Sequence, residues 1–136
     1  MVHPSDQMVK VAVVGAHLTG QPLNYQLTDE GAILIQTTRT KSIYKLYAIE
    51  GVIPKPGLVR QGEGRGWAIE VEVWEISVTG FGRFVVQIPP PLGMGNVILE
   101  DDHVVKGFIC EPYAIINGTE ISHFGSWRTY LSNQGQ

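Results

Sequence analysis

The sequence predicts an α+β fold that is mostly β: a small mixed barrel with short peripheral helices. Three observations support this. Roughly six short segments have the β-branched or alternating composition of strands, and the apolar run at 11–14 (VAVV) is typical of a strand buried on both faces. Helical spacing is clear only at 77–88. At 136 residues the chain is long enough to bury a core, so we expect a single domain, 1–136, with a frayed lead-in at 1–9.

In the first half of the chain, the buried strand at 11–14 ends at Gly15, which permits a sharp turn. Three turn-forming residues follow, Gly20, Pro22 and Asn24. Next come a helix or irregular segment at 23–31 that closes in a turn, a strand at 32–36, a polar link at 37–42 and a strand at 43–49.

The stretch 50–66 contains five glycines and two prolines, which predicts a loop around a short apolar pair, Leu58 and Val59. We expect it to be the most mobile internal part of the chain and to border the pocket. The following strand, 67–76, alternates clearly, with Ile69, Val71 and Val73 on the core face and Glu70, Glu72 and Trp74 on the other.

The second half continues with a helix at 77–88 and an extended proline segment at 89–93, which suits either a rigid pocket wall or a plain connector. A hairpin is predicted from strands at 97–99 and 104–110 around the acidic turn 100–103. The last predicted elements are an extension of the final strand at 113–116, a turn at 117–120, and a short helix or tail at 121–131 whose Phe124, Trp127 and Leu131 cap the core.

Composition and charge argue against several classes of function. The formal net charge is -3 with acids and bases mixed along the chain, whereas a nucleic-acid binder would show a basic stripe. No apolar segment reaches the ~18 residues of a membrane helix, and the N-terminus lacks a signal-peptide pattern. The one cysteine, Cys110, lies in an apolar run, so we expect a buried, inert thiol. We therefore expect a cytoplasmic protein that binds neither nucleic acid nor membrane.

His17 stands at the mouth of the buried strand, directly after the glycine turn. Such a turn presents backbone N–H groups beside a polar side chain, which is a common way to build a small-molecule site. A tight turn whose histidine is satisfied by hydrogen bonds fits equally well. The glutamates beside Trp74 have two interpretations as well: a hydrated face, or pocket carboxylates that act as acid or base. Asp101, Asp102 and His103 are adjacent at a hairpin tip and rarely converge on one ion from such a place, so no metal is expected.

Six motifs resemble, in order and over nearly the whole chain, one known family. They are GAHLTGQPLN at 15–24, TRT at 38–40 with YKLY at 44–47, IEVEVW at 69–74, IPPPLGMG at 88–95, VKGFICE at 105–111 and FGSWRTYL at 124–131. The family is the C-terminal domain of allophanate hydrolase. That domain is similar in fold to the γ-glutamyl cyclotransferase-like proteins, small mixed barrels with peripheral helices.

The resemblance implies decarboxylation of N-carboxyurea, the unstable carbamate that the amidase domain of that family leaves, without a metal or organic cofactor. His17 would be the catalytic residue that supplies the proton. The residues implied in substrate binding are Gly15, Ala16 and Leu18 through their backbone N–H groups, and Asn24, Tyr44 and Glu72 through their side chains. A chain of 136 residues cannot contain the amidase domain, so a separately encoded amidase is an expected partner, and a homo-oligomer is compatible with the pattern.

The sequence departs from the cyclotransferase pattern in two places. Their first turn typically reads Tyr-Gly-Ser/Thr-Leu, whereas this chain has VGAHL at 14–18. At the position of their catalytic Glu-Gly this chain has Leu92 and Gly93. Two alternatives therefore stay open beside the decarboxylase: a non-catalytic module that binds a small carboxylate or docks on an amidase, and cyclotransferase-like amide chemistry.

Overall fold

Two sheets with peripheral helices make up the fold of residues 7–134, the part of the chain that this computed structural model describes. The strands are β1 (Met8–Val13), β2 (Ile33–Arg39), β3 (Tyr44–Ile49), β4 (Lys55–Arg60), β5 (Glu70–Ser77), β6 (Leu92–Ile98), β7 (Val104–Cys110) and β8 (Thr119–Glu120). The helices are α1 (Tyr25–Thr28), α2 (Val78–Val85) and α3 (Trp127–Gln134), with 3₁₀ turns at Pro112–Asn117 and Ser122–Phe124. The predicted fold class, mostly β with short peripheral helices, is confirmed.

The five-stranded sheet has the order β2-β5-β1-β7-β6, and the three-stranded sheet has the order β4-β3-β8. In the larger sheet β1 runs antiparallel to β5 and parallel to β7, so it lies inside the sheet and not at an edge. Val11 and Val13 are completely buried. The prediction that 11–14 forms an interior strand is confirmed, because a run without polar alternation can bury both of its faces.

Helix α2 lies within the segment 77–88 that helical spacing predicts. The hydroxyl of Ser77 accepts a hydrogen bond from Gly80 N–H (3.0 Å) and so caps the helix start. Phe84 on the inner face is completely buried and packs against the ring of His17. The helix therefore contributes one wall of the environment around the candidate site.

The stretch 50–66 was predicted as a loop, and this prediction is wrong for its central part. Residues 55–60 form β4, which pairs antiparallel with β3 from Ile49 opposite Lys55 to Tyr44 opposite Arg60. The physical reason lies in Gly57, which the sequence suggested was a loop residue. A Cβ at Gly57 would lie 2.6 Å from Ile49 Cδ1 and 2.8 Å from Cys110 Sγ, so the glycine permits close packing between the sheets.

Three smaller predictions also need correction. Residues 113–116 form a 3₁₀ turn and not a strand, because Pro112 fixes its own φ and has no N–H for a ladder. Thr119 and Glu120, predicted as part of a turn, pair with β3. Residues 8 and 9 belong to β1, and the carbonyl of Gln7 accepts a hydrogen bond from Val78 N–H (3.0 Å), whereas 1–6 of the predicted frayed lead-in lie outside the described residues.

The hairpin predicted from 97–99 and 104–110 is confirmed, and its pairing extends back to Leu92 opposite Cys110. Cys110 is buried, and burial raises the pKa of its thiol, as an inert cysteine requires. Trp127 is buried at the start of α3, and Phe124 and Leu131 pack against the core as expected. None of the helices within 7–134 is long and apolar enough to cross a membrane.

Candidate functional site

The turn after β1 is fixed by its own hydrogen bonds. Leu18 N–H donates to the carbonyl of Gly15 (2.9 Å), and Leu23 N–H donates to that of Ala16 (2.8 Å). The side chain of Asn24 donates from Nδ2 to the carbonyl of His17 (2.8 Å). Among residues 7–134, no group accepts a hydrogen bond from the N–H of Gly15, Ala16 or His17. These three amides are therefore available to a ligand.

Gly15 allows β4 to approach the turn closely, and its own φ lies outside the left-handed region. A Cβ at this position would run into the ring of Pro56, the second residue of β4. The turn and β4 therefore touch directly, and this contact brings the neighbouring Lys55 to the same place as His17.

The imidazole of His17 is held between two aromatic rings. It stacks on Phe108 at 4.9 Å between centroids with 17° between planes, and Phe84 meets it edge-on at 5.1 Å. Its Nε2 lies 2.7 Å from Oε1 of Gln26. In the neutral tautomer that donates from Nε2 to this oxygen, Nδ1 carries the lone pair. Burial lowers the pKa of His17 below its usual 6.5, and the positive charge of Lys55 lowers it further. The hydrogen bond to Gln26 raises the pKa but does not cancel the effect of burial. The ring is therefore neutral at neutral pH.

A cleft runs past this histidine and has two main chambers that share Lys55 and Leu92. The histidine chamber has a volume of about 160 Å³, and its walls include His17, Gln26 and Phe108. The proline chamber has a volume of about 300 Å³ and lies between residues 49–53 and the proline segment 89–91. A narrow space of about 10 Å³ beside Gly15 and Ala16 also opens against Lys55 and Leu92.

Lys55 is the one cationic residue in the walls of these chambers. Within 7–134, no carboxylate lies at ion-pair distance from its ammonium group. Most of the surrounding wall is apolar, and the one carboxylate in the described walls, that of Glu50 in the proline chamber, does not form an ion pair with Lys55. A cation in such a place favours the binding of an anion.

The structure brings only some of the predicted site residues together. Gly15, Ala16 and His17 line the cleft side by side. Leu18 is buried with its N–H used in the turn, and Asn24 is bonded to the backbone, so neither lines the described chambers. Tyr44 is completely buried, and its hydroxyl accepts a hydrogen bond from Ile98 N–H (3.0 Å).

Glu72 lies away from the described chambers and is also buried, in a different network. Its Oε1 accepts from Thr19 N–H (2.8 Å), Thr19 Oγ1 (3.0 Å) and Trp74 Nε1 (3.2 Å). Its Oε2 accepts from Arg128 Nη2 at 3.2 Å. The carboxylate is thus neither on a hydrated face nor in the cleft, and it ties the loop after His17 to β5 and α3.

Sequence reasoning missed Lys55 and Gln26. Lys55 fell inside the stretch assigned to a loop, because its neighbours Pro54, Pro56 and Gly57 are typical of turns. Gln26 lies nine residues after His17, and only the short helix α1 turns it back toward the imidazole. No local pattern in the sequence indicated that pairing.

Nearly all of the fold, with the cleft, lies in residues 9–132. These residues match the family model for the allophanate hydrolase C-terminal domain. The chain belongs to this family. It is 43% identical over 134 residues to urea amidolyase from Lachancea kluyveri, covering 96% of this chain and 7% of that protein. The chain therefore spans about 7% of the length of this curated relative.

Two solved structures are similar to this member of the family. One is allophanate hydrolase from Kluyveromyces lactis, with a TM-score of 0.91 and 40% identity, covering 94% of this chain and 22% of that one. The other is a uropathogenic E. coli-specific protein, with a TM-score of 0.86 and 30% identity, covering 93% of this chain and 97% of that one. The family thus includes longer chains and one of about this size, and the predicted γ-glutamyl cyclotransferase-like fold class is confirmed.

Proposed function

We propose that this chain decarboxylates N-carboxycarbamate in urea or nitrogen catabolism. The N-carboxyurea implied by the resemblance is corrected here, because N-carboxyurea is allophanate itself and its decarboxylation would only give urea. The observation behind the proposal is the placement of neutral His17 and unpaired Lys55 on the walls of one cleft. The titratable imidazole can exchange a proton near neutral pH, and the ammonium group can hold a carboxylate. Membership of the family supplies the substrate class.

In the proposed reaction, the carbamate C–N bond breaks and its electron pair stays on the nitrogen. The nitrogen takes one proton, so the N-carboxycarbamate dianion plus a proton gives carbamate plus carbon dioxide. His17 supplies this proton as imidazolium and is reprotonated from solvent. Because the environment lowers the pKa of His17, its imidazolium is a stronger acid than that of an exposed histidine, and the rate falls as pH rises through that pKa.

Lys55 and the backbone hold the substrate in this scheme. The ammonium group pairs with the carboxylate, and the N–H groups of Ala16 and His17 can donate to an anionic oxygen. Phe108 and Leu92 keep this part of the cleft apolar. Since the charge on the carboxylate disappears as carbon dioxide forms, Lys55 contributes to binding, whereas His17 contributes to the chemical step.

The proposal requires a source of N-carboxycarbamate. We propose that an amidase on a separate chain, or on another part of a longer chain, hydrolyses the terminal amide of allophanate, which releases ammonia and leaves N-carboxycarbamate. In the similar K. lactis allophanate hydrolase, the matched region is 22% of the chain, which leaves room for such a unit there.

The test adds this chain to an allophanate-cleaving amidase that lacks the domain and follows ammonia and carbon dioxide separately. We expect the first equivalent of ammonia, which comes from the amidase step, to appear at an unchanged rate, while carbon dioxide and the second equivalent of ammonia appear faster. Carbon dioxide release at the uncatalysed rate, with the chain present in excess, would contradict the proposal.

A non-catalytic module that binds a small carboxylate is the second candidate, and unpaired Lys55 favours it as well. Such a module needs the ammonium and the backbone amides but no proton exchange at His17. Binding of a ureido acid without turnover would support it. Cyclotransferase-like chemistry has less support, because the side chain at the corresponding position is apolar Leu92, which lines both chambers.

A further inference from the structure

We propose that the cleft binds ureido acids that bear an apolar substituent, and not only the small N-carboxycarbamate of the proposed reaction. The carboxylate pairs with Lys55, the ureido group faces His17, and the substituent fills the proline chamber. This inference rests on the proposed function, since it uses the same cleft, and it extends the substrate class of that cleft.

The first support is the space available. N-carboxycarbamate has few heavy atoms, and the histidine chamber of about 160 Å³ is enough for such a small molecule. The proline chamber adds about 300 Å³ on the far side of Lys55. Together the two chambers reach the range of roughly 300–1,000 Å³ that is usual for sites of larger ligands.

The second support is the chemistry of the proline chamber. Seven of its ten lining residues are apolar: Ile49, Val52, Ile53, Pro89, Pro90, Pro91 and Leu92. The only charged residues in its walls are Glu50 and Lys55. The prolines also lack the N–H groups that a polar ligand would need. Such a chamber favours an aliphatic group, and each buried methylene improves affinity by about fourfold.

The third support is the position of Lys55 at the boundary of the chambers. It lines both, as do Ile53, Pro89 and Leu92. When the carboxylate of a ligand pairs with Lys55, one substituent of that ligand can extend into each chamber. A ureido acid branched next to its carboxylate, such as an N-carbamoyl amino acid, has this shape.

The test measures binding of N-carbamoylglycine and N-carbamoylleucine by titration calorimetry. Both acids carry the ureido group and the carboxylate, and they differ only in the isobutyl group. We expect the leucine derivative to bind at least tenfold more tightly, and Lys55→Met to weaken both by a similar factor. If the unsubstituted chain binds the two acids with equal affinity, that result alone overturns the proposal.

Gly51→Trp is the second arm of the test, because Gly51 lines the proline chamber and a Cβ there meets only ordinary contact distances. We expect it to abolish the advantage of the leucine derivative, so that the variant binds the two acids equally. Gly62→Trp, outside the described chambers, is the matched control. An advantage that survives in Gly51→Trp, or failure of both acids to bind, also overturns the proposal. Carbon dioxide release in the amidase assay then decides the proposed function separately.

Discussion

Arg128 reaches from α3 to the buried carboxylate of Glu72, with 3.2 Å between Nη2 and Oε2. The same nitrogen donates to the carbonyl of Thr19 at 2.6 Å. The two bonds join the C-terminal helix to the loop that follows His17, and 56 residues separate Glu72 from Arg128 in the sequence. The side chain of Glu72 is only 5% exposed, whereas that of Arg128 is 36% exposed.

Arg128→Met should lower the free energy of unfolding by about 1–2 kcal/mol, because a buried carboxylate loses one charged partner and keeps its three other donors. The partial exposure of Arg128 limits the loss through solvent screening. Arg83→Met is the matched control, since Arg83 forms an ion pair with Glu30 on the surface, where such pairs contribute less than about 1 kcal/mol. Equal losses in urea unfolding would contradict the special role of the Glu72 contact.

Gly15→Ala should destabilise the fold by about 1–3 kcal/mol, because the added methyl group meets the ring of Pro56 and must displace β4 from the turn. Gly82→Ala is the control. Gly82 lies in α2, where an added methyl group would meet no atom of another element within 4 Å, so alanine there should stabilise by about 0.5–1 kcal/mol through helix propensity. Thermal unfolding measures both changes, and a neutral Gly15→Ala would show that the contact with Pro56 is dispensable.

The stability of the chain should depend on pH through His17. The folded chain keeps the imidazole neutral with a lowered pKa, whereas the unfolded chain binds a proton at about pH 6.5. Protons therefore favour the unfolded state: the free energy of unfolding falls as pH drops below 6.5 and levels off below the folded-state pKa. His17→Asn should remove this contribution, and His123→Asn, at an exposed histidine, should retain it. Denaturant unfolding between about pH 5 and 8 tests this, and an unchanged pH profile in His17→Asn would refute it.

Lys55→Met should weaken substrate binding by about 10–100-fold, the usual range for one charge-assisted hydrogen bond. The change should appear in KM with little effect on kcat, because the ammonium acts on a carboxylate whose charge is lost in the reaction. Lys106→Met is the control, since Lys106 is exposed and bonds Asn96 on the hairpin. A fall in kcat with unchanged KM would assign Lys55 to the chemical step instead.

Parts of this fold follow directly from local sequence. The apolar run of β1 predicts its interior position, and the spacing of Phe81, Phe84 and Val85 predicts α2. Strand β4 was not predicted because its glycine and proline are typical of loops. In the structure they allow close packing against Cys110 and the turn after β1, which are remote in sequence. Composition cannot distinguish such a glycine from one in a loop.

The candidate site was predictable only at its first element. His17 and the turn around it are local features, so the sequence indicated them. The ring partners Phe84 and Phe108 come from α2 and β7, and Lys55 comes from β4. Glu72 and Tyr44 were assigned to the site by motif position, yet their polar atoms bond to Arg128 and Ile98 away from the described chambers. Which motif residues converge depends on packing between elements, which no short pattern encodes.

The most direct test of the proposed function is carbon dioxide release by His17→Asn in the amidase-coupled assay, with thermal unfolding of the same variant. Asparagine keeps a planar polar side chain but cannot exchange a proton near neutral pH. We expect kcat to fall by about 10²–10⁴-fold while the variant stays folded at the assay temperature. Turnover that persists per folded molecule, alongside a lowered melting temperature, would contradict the proposal and make His17 a structural residue of the turn.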